Sequence, residues 1–216
     1  MLTVGLITAH IALFTFWMLD LHHKYHGSRR WSKGLLMPCT ALIYVLFCLL
    51  LHHHPDLFLL CGLMAGWIGD LFLLKDDDPH FVVGLVSFLL GHVFYSIHFL
   101  HVIQPSHVPA LVFLSLPVYA AYACMIMRGL WPGMEKKLHL PCVIYLCVIA
   151  FMSFCALCSL SVHPSAGSAL TFVGSIIFVI SDTLVAWERF GNPDIHGVME
   201  TYVPAQYLIM LGILLA

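Results

Sequence analysis

Charge is what this sequence has least of. Asp, Glu, Lys and Arg make up 9% of its 216 residues, where a soluble domain carries about a quarter. With 61% hydrophobic residues and a mean hydropathy of +0.96, that excludes an ordinary soluble domain and points to a polytopic membrane protein. The net charge of −2 leaves no basic surface for nucleic acid and no polybasic anchor. Residues 2–20 are apolar but lack a positive leader and a small-residue cleavage site, so they read as a retained helix rather than a signal peptide. Cys155 and Cys158 form a CxxC without a second pair, inside an apolar run where a thiol behaves as a small hydrophobe. Among the 15 His, the runs of adjacent His in loops do not match the i, i+4 helical spacing of a preorganised metal site. His22, His23 and His26 beside Asp20, and His52, His53 and His54, read as surface clusters, so no metal and no cofactor is expected. Neither a Ser-His-Asp nor a Cys-His arrangement for acyl transfer is evident.

What the sequence does have is long apolar runs. Eight spans fit, near residues 2–20, 34–51, 57–74, 80–101, 108–127, 139–161, 167–187 and 200–216, each near the roughly 20 residues that cross a bilayer. Turn signals mark the breaks: His54-Pro55-Asp56, Asp78-Pro79, Gln104-Pro105-Ser106, Trp131-Pro132-Gly133, His163-Pro164 and Gly191-Asn192-Pro193-Asp194. Asp76, Asp77 and Asp78 beside Lys75 read as a solvated cap on a loop. The expected fold is all-α, a polytopic integral membrane protein of eight transmembrane helices forming one domain over residues 1–216.

The basic residues are sorted. Lys24, Arg29, Arg30 and Lys33 lie between the first and second spans, and Lys75 lies between the third and fourth. Arg128, Lys136 and Lys137 lie between the fifth and sixth, and Arg189 between the seventh and eighth. All 9 basic residues thus occupy alternate loops, which positive-inside bias assigns to the cytoplasm, leaving both termini extracytoplasmic.

Against this apolar background two acids stand out. Asp182 follows the apolar stretch that begins at Gly174, before the charged end Glu188-Arg189, and Gly69-Asp70 repeats the arrangement before Lys75. A carboxylate within a span costs roughly 2.5–3.5 kcal/mol on insertion scales, which makes each a functional candidate. At about 1.5 Å per residue, Asp70 sits roughly 8 Å from the cytoplasmic end of its span, Asp182 about 9 Å and Gln206 about 10 Å. Tyr145 comes to a similar level, His92 lies deeper, and Tyr202 and Lys33 lie nearer the surface. Buried polar groups need partners, so these side chains are expected to converge on one wet cavity. The small-Asp pattern, repeated four spans apart, also fits an internal repeat of four plus four helices.

At these residues the chain resembles the YhhN family of membrane lysoplasmalogenases over nearly its whole length. The matching pieces are Lys33 through Pro38 (KGLLMP, where K-P-x-x-M-P is common), Gly69-Asp70, Phe81-x-x-Gly84 with Gly91-His92-x-x-Tyr95, Phe178-x-x-Ser181-Asp182-x-x-x-Ala186, and Tyr202-x-x-x-Gln206. Gly34 stands where a Pro is common and is expected to loosen the start of the second span. The resemblance implies an ether hydrolase that cleaves the vinyl ether of lysoplasmalogens to a fatty aldehyde and glycerophosphocholine or glycerophosphoethanolamine.

The residues suit that chemistry. Vinyl ether hydrolysis needs an acid still protonated near neutral pH and a negative group that stabilises the resulting oxocarbenium ion and orients water. Asp70 and Asp182 in one low-dielectric cavity meet both needs, as carboxylate pairs do in glycosidases. Lys33 and Tyr202 are candidates for holding the phosphate, and Tyr95, Tyr145, Gln206 and His92 for binding substrate or orienting water. Each has an alternative: Lys33 as an interfacial snorkeller, the tyrosines as belt anchors, His92 as a bond to a neighbouring helix. The expected partners are a lysophospholipid substrate and the lipid bilayer, no nucleic acid, with oligomeric state open. The membrane expected is a bacterial inner membrane, with the active site toward the cytoplasmic leaflet. A proton-coupled lipid or small-molecule transporter using the same aspartates is the alternative. It would need ionisable groups along the outer half as well, where His10, His98 and His101 are the main ones.

Overall fold

The computed structural model describes residues 2–26, 30–75, 77–103, 107–192 and 194–216 and, of residues 23–26 and 30–31, the backbone alone. Arg29, Asp76, the turn Gln104-Pro105-Ser106 and Pro193, with the side chains of His23, Lys24, His26 and Arg30, therefore lie outside the described residues.

Eight α-helices follow one another: α1 Leu2–His26, α2 Arg30–Leu51, α3 Leu57–Phe72, α4 Asp78–Val102, α5 Leu116–Leu130, α6 Lys136–Val162, α7 Ala166–Phe190 and α8 Val198–Leu215. Short 3₁₀ turns at Ala110–Ser115 and Trp131–Gly133 flank α5, and no strand occurs among the described residues. Seven helical stretches are long and apolar enough to cross a membrane, and α3, at 16 residues, is the shorter eighth. The chain is thus a multi-pass membrane protein. At about 1.5 Å per residue α3 measures roughly 24 Å, short of the roughly 30 Å hydrocarbon core. It stops at Phe72 rather than at 74, and the chain turns through Leu73–Lys75, where the Leu73 amide bonds the Gly69 carbonyl at 2.9 Å.

Local chemistry sets the helix starts. Asp56 caps α3 by accepting from the Leu59 amide at 2.8 Å, and the Tyr44 hydroxyl oxygen accepts from the Asp56 amide at 2.8 Å at the same corner. Asp77 caps α4 through the His80 amide at 2.9 Å, with Pro79 in the first turn, where a missing N–H costs nothing. Asp78 is therefore helical rather than part of a solvated loop cap. Ser165 and Ser168 form a reciprocal capping box at the start of α7. Gly34 does not loosen α2: the helix runs through it, and its carbonyl accepts from the Trp67 indole at 2.7 Å.

Small residues bring two helix pairs close together. On α7 and α8, a Cβ added at Gly174 would lie 2.9 Å from the Ile209 amide nitrogen. One added at Gly212 would lie 2.5 Å from the Thr171 nitrogen. On α3 and α4, Gly62 leaves room for the Tyr95 ring and Gly69 for that of Phe88. Such close approach is how helices associate where hydrocarbon gives no hydrophobic drive between them. Further contacts join α2 to α3 and α8, α4 to α6, and α6 to α7, so these six helices enclose the core. Helix α1 packs outside against α2, and α5 outside against α6 and α7. Val118 and Leu140, each 68% exposed, belong to the apolar outer surface that faces lipid in such a fold.

Candidate active site

A cavity of about 870 Å³, counted out to its open mouth, lies among these helices and α5, whose Ile126, Met127 and Leu130 line it too. Asp70 and Asp182 both line it, together with Lys33, Tyr145, Tyr202 and Ser181. The rest of its wall is largely apolar, from Phe88 and Ile149 to Phe81, Leu130, Met134 and Phe190. Lys33 is the one basic side chain among the described residues that line it.

Asp70 stands two residues before the end of the short α3, with its side chain 2% exposed. Trp67, three residues earlier, ties α3 to the Gly34 carbonyl of α2. That tie brings the neighbouring Lys33 Nζ to 3.6 Å from Asp70 Oδ1. This is close enough for charge attraction and longer than a hydrogen bond. Asp70 Oδ2 is buried without a hydrogen-bond partner. Alongside stands Tyr202, whose hydroxyl accepts from Gln206 Nε2 at 3.4 Å, while Gln206 Oε1 accepts from the Tyr95 hydroxyl at 2.6 Å. Gln206 and Tyr95 thus form a buried chain behind Tyr202.

Asp182 is held differently. Its Oδ2 accepts from the Tyr145 hydroxyl and meets His92 Nε2 at 3.0 Å, and the same His92 nitrogen lies 3.0 Å from the Tyr145 hydroxyl oxygen. His92 is fully buried, edge-on to Phe178 with ring centroids 4.8 Å apart, and its Nδ1 has no hydrogen-bond partner. A neutral ring protonated at Nε2 fits this setting, since a proton on Nδ1 would be a buried donor with nothing to bond. The neighbours of Asp182 fix the helix around it. Ser181 donates to the Val198 carbonyl of α8 at 3.2 Å, and Thr183 meets the Tyr122 hydroxyl of α5 at 2.6 Å.

Of the residues singled out in the sequence, Asp70, Asp182, Lys33, Tyr145 and Tyr202 line the cavity, while His92, Tyr95 and Gln206 stand behind its wall. Lys33 is 8% exposed, more enclosed than an interfacial position implies. Two acids escaped that reading. Asp20 is fully buried on α1 and accepts from Ser32 of α2 at 3.4 Å. Asp78 binds Arg189 of α7 at 2.6 Å and Lys137 of α6 at 3.0 Å, and the Arg189 guanidinium sits 5.2 Å over the Phe81 ring at the rim of the cavity. Asp77-Asp78-Pro79 signals a helix start in the sequence, but the partners of Asp78 lie 59 and 111 residues away and no local pattern names them. Among the described residues no three His, Cys, Asp or Glu side chains converge as a metal site would require, and both Cys155 and Cys158 are buried free thiols.

These features define a helical membrane protein with two carboxylates and, among the described residues, one cation in a largely apolar cavity. The chain belongs to the YhhN family, whose model it matches over residues 5–213. It is 29% identical over 174 residues to the human protein named lysoplasmalogenase TMEM86A, covering 76% of this chain and 68% of that one. It is 27% identical over 203 residues to the Bos taurus protein of the same name, covering 86% and 80%. It is 30% identical over 156 residues to lysoplasmalogenase TMEM86B of Sus scrofa, covering 70% and 61%. No solved structure matches the chain at a significant level.

Proposed function

We propose that the protein is a lysoplasmalogenase, hydrolysing the vinyl ether of single-chain alkenyl glycerophospholipids inside the membrane. The observation that carries this reading is the convergence of Asp70, Asp182 and Lys33 on one apolar-walled cavity, in a chain similar to proteins named for that activity. Asp70 is the acid. Its unpartnered Oδ2 carries the proton, which passes to the β-carbon of the vinyl ether and leaves an oxocarbenium ion. Asp182, whose Oδ2 already meets two donors, is the carboxylate that faces the cation and takes a proton from the water adding at the α-carbon. Collapse of the hemiacetal returns its hydroxyl proton to Asp70, while Asp182 protonates the departing glycerol oxygen. The products are a fatty aldehyde and a glycerophospho-alcohol, and both carboxyls are restored. Lys33 and Tyr202 hold the phosphate, and Tyr145 steadies Asp182. The apolar wall takes the alkenyl chain, since burying its methylenes is worth about 0.8 kcal/mol each.

This reading places eight spans in the membrane, both termini outside and the cavity mouth toward the cytoplasmic leaflet. The purified protein should release fatty aldehyde and glycerophospho-alcohol from a lysoplasmalogen. Saturated ether lysolipids should compete without reacting, and lysophosphatidylcholine should yield no fatty acid. Free fatty acid as the product would contradict the reading, as would proton-coupled lipid movement without any aldehyde.

A further inference from the structure

We propose that the substrate's phosphodiester arms the acid: it draws Lys33 away from Asp70, and Asp70 takes up a proton as the lipid binds. This rests on the hydrolase reading above and adds a role for the head group beyond affinity.

Lys33 and Asp70 are both buried, with side chains 9% and 2% exposed, so each is the charge the other depends on. Yet their contact, at 3.6 Å, lacks the geometry of a hydrogen bond, and Asp70 Oδ2 makes no hydrogen bond. A pair so loosely made is open to exchange. An anionic phosphodiester entering the cavity finds Lys33 as the one basic side chain among the described residues of its wall. In a lysoplasmalogen only the glycerol carbons separate that phosphate from the vinyl ether oxygen. A phosphate seated on Lys33 therefore keeps the reacting bond beside Asp70.

Charge balance then decides the protonation. Before binding, Lys33 and Asp70 neutralise each other. After binding, Lys33 neutralises the phosphate, the head-group ammonium stays in water at the open mouth of the cavity, and a carboxylate at Asp70 would be a buried charge without a counterion. Among the described residues, the groups facing Asp70 offer no replacement: Tyr202 from α8 is neutral, Phe88 from α4 is apolar, and Asp182 across the cavity and Asp20 from α1 are acids. Asp182 is not the group that changes, because Tyr145 and His92 both meet its Oδ2. One proton from water adds to Asp70 Oδ2, the ammonium of Lys33 moves to the phosphate, and charge is conserved. That proton is the one the vinyl ether receives. The acid is present only when a phosphate-bearing lipid is bound, so the phosphate should raise kcat as well as lower KM.

Calorimetry of the purified protein near pH 7, in buffers of different ionisation enthalpy, reads proton uptake directly. The ligand is a saturated 1-O-alkyl glycerophosphocholine, which has no vinyl ether to react, and the comparison is the phosphate-free 1-O-alkylglycerol. The native protein should take up one proton per phospholipid bound and none with the alkylglycerol, and Asp70→Asn should bind the phospholipid without uptake. Lys33→Gln, checked for folding by its melting temperature, should also bind without uptake, because Asp70 then has no counterion to lose. In turnover, a phosphate-free alkenylglycerol should show kcat lower by about 10²-fold or more, the scale of general acid catalysis. Binding of the phospholipid without uptake by the native protein would overturn the inference alone, as would uptake that persists in Asp70→Asn. Failure of the phospholipid to bind at all would overturn the hydrolase reading with it.

Discussion

At Asp182 the carboxylate is shaped by two donors on one oxygen. Tyr145 and His92 both reach Oδ2, which leaves Oδ1 to meet the substrate. Since His92 stands behind the wall, the proposed mechanism has it act through Asp182, as a positioning residue. His92→Gln keeps an N–H donor near the Nε2 position, while His92→Leu removes it. Loss of a hydrogen bond to a charged group is worth about 1.5–3 kcal/mol, so the Leu variant should lose roughly 10- to 100-fold in kcat with KM little changed, and the Gln variant should recover most of it. Equal loss in both would assign His92 a proton-transfer role instead. The sequence singles out His92 and Gln206 by type and depth, and Tyr95 by the family resemblance. It does not separate the cavity surface from the layer behind it. That separation depends on which side chain of another helix each one meets, such as Gln206 of α8 for Tyr95 of α4.

On the scale of helices, the boundaries legible from hydropathy fall short at the charged ends. The second span reads as 34–51 but α2 begins at Arg30, and the fifth reads as 108–127 but α5 runs to Leu130 after a 3₁₀ lead-in. Hydropathy stops at the first charge, whereas backbone hydrogen bonding continues into the interface. The close packing of α7 on α8 was not legible either, because a glycine in an apolar run reads the same whether it faces lipid or backbone. The structure separates two such cases. Gly212→Ala places a Cβ 2.2 Å from Thr171 Oγ1 and against α7 backbone, and overpacking of that kind typically costs about 1–3 kcal/mol. Gly5→Ala on α1 meets nothing nearer than Leu46 Cδ1 at 3.9 Å. Thermal unfolding in detergent should show a clear loss of stability for Gly212→Ala and none for Gly5→Ala. Equal stability of the two would contradict the packing of α7 on α8.

For the whole molecule, the helix contacts repeat in order. The pair α3–α4 is matched by α7–α8, α2–α3 by α6–α7, the junction α4–α6 by α8–α2, and α1–α2 by α5–α6, while the outer helices differ in their second partner, α8 for α1 and α7 for α5. We infer a parallel internal repeat of four plus four helices that delivers Asp70 and Asp182 from equivalent helices to one cavity. The proposed eight-span topology, with the basic residues in cytoplasmic loops, predicts that reporters at either end read extracytoplasmic and one inserted at Lys136 cytoplasmic. A cytoplasmic C-terminus would break both the repeat and the shared depth of the two acids. The central claim is that those acids work as one unit on one vinyl ether. Its most direct test is aldehyde release from a lysoplasmalogen by Asp70→Asn, Asp182→Asn and the double variant, each confirmed folded by its melting temperature. Each single change should lower kcat by about 10²-fold or more, and the double change should cost little beyond the worse single one, because groups that act together are not additive. Near-native aldehyde release by either folded single variant would contradict the account.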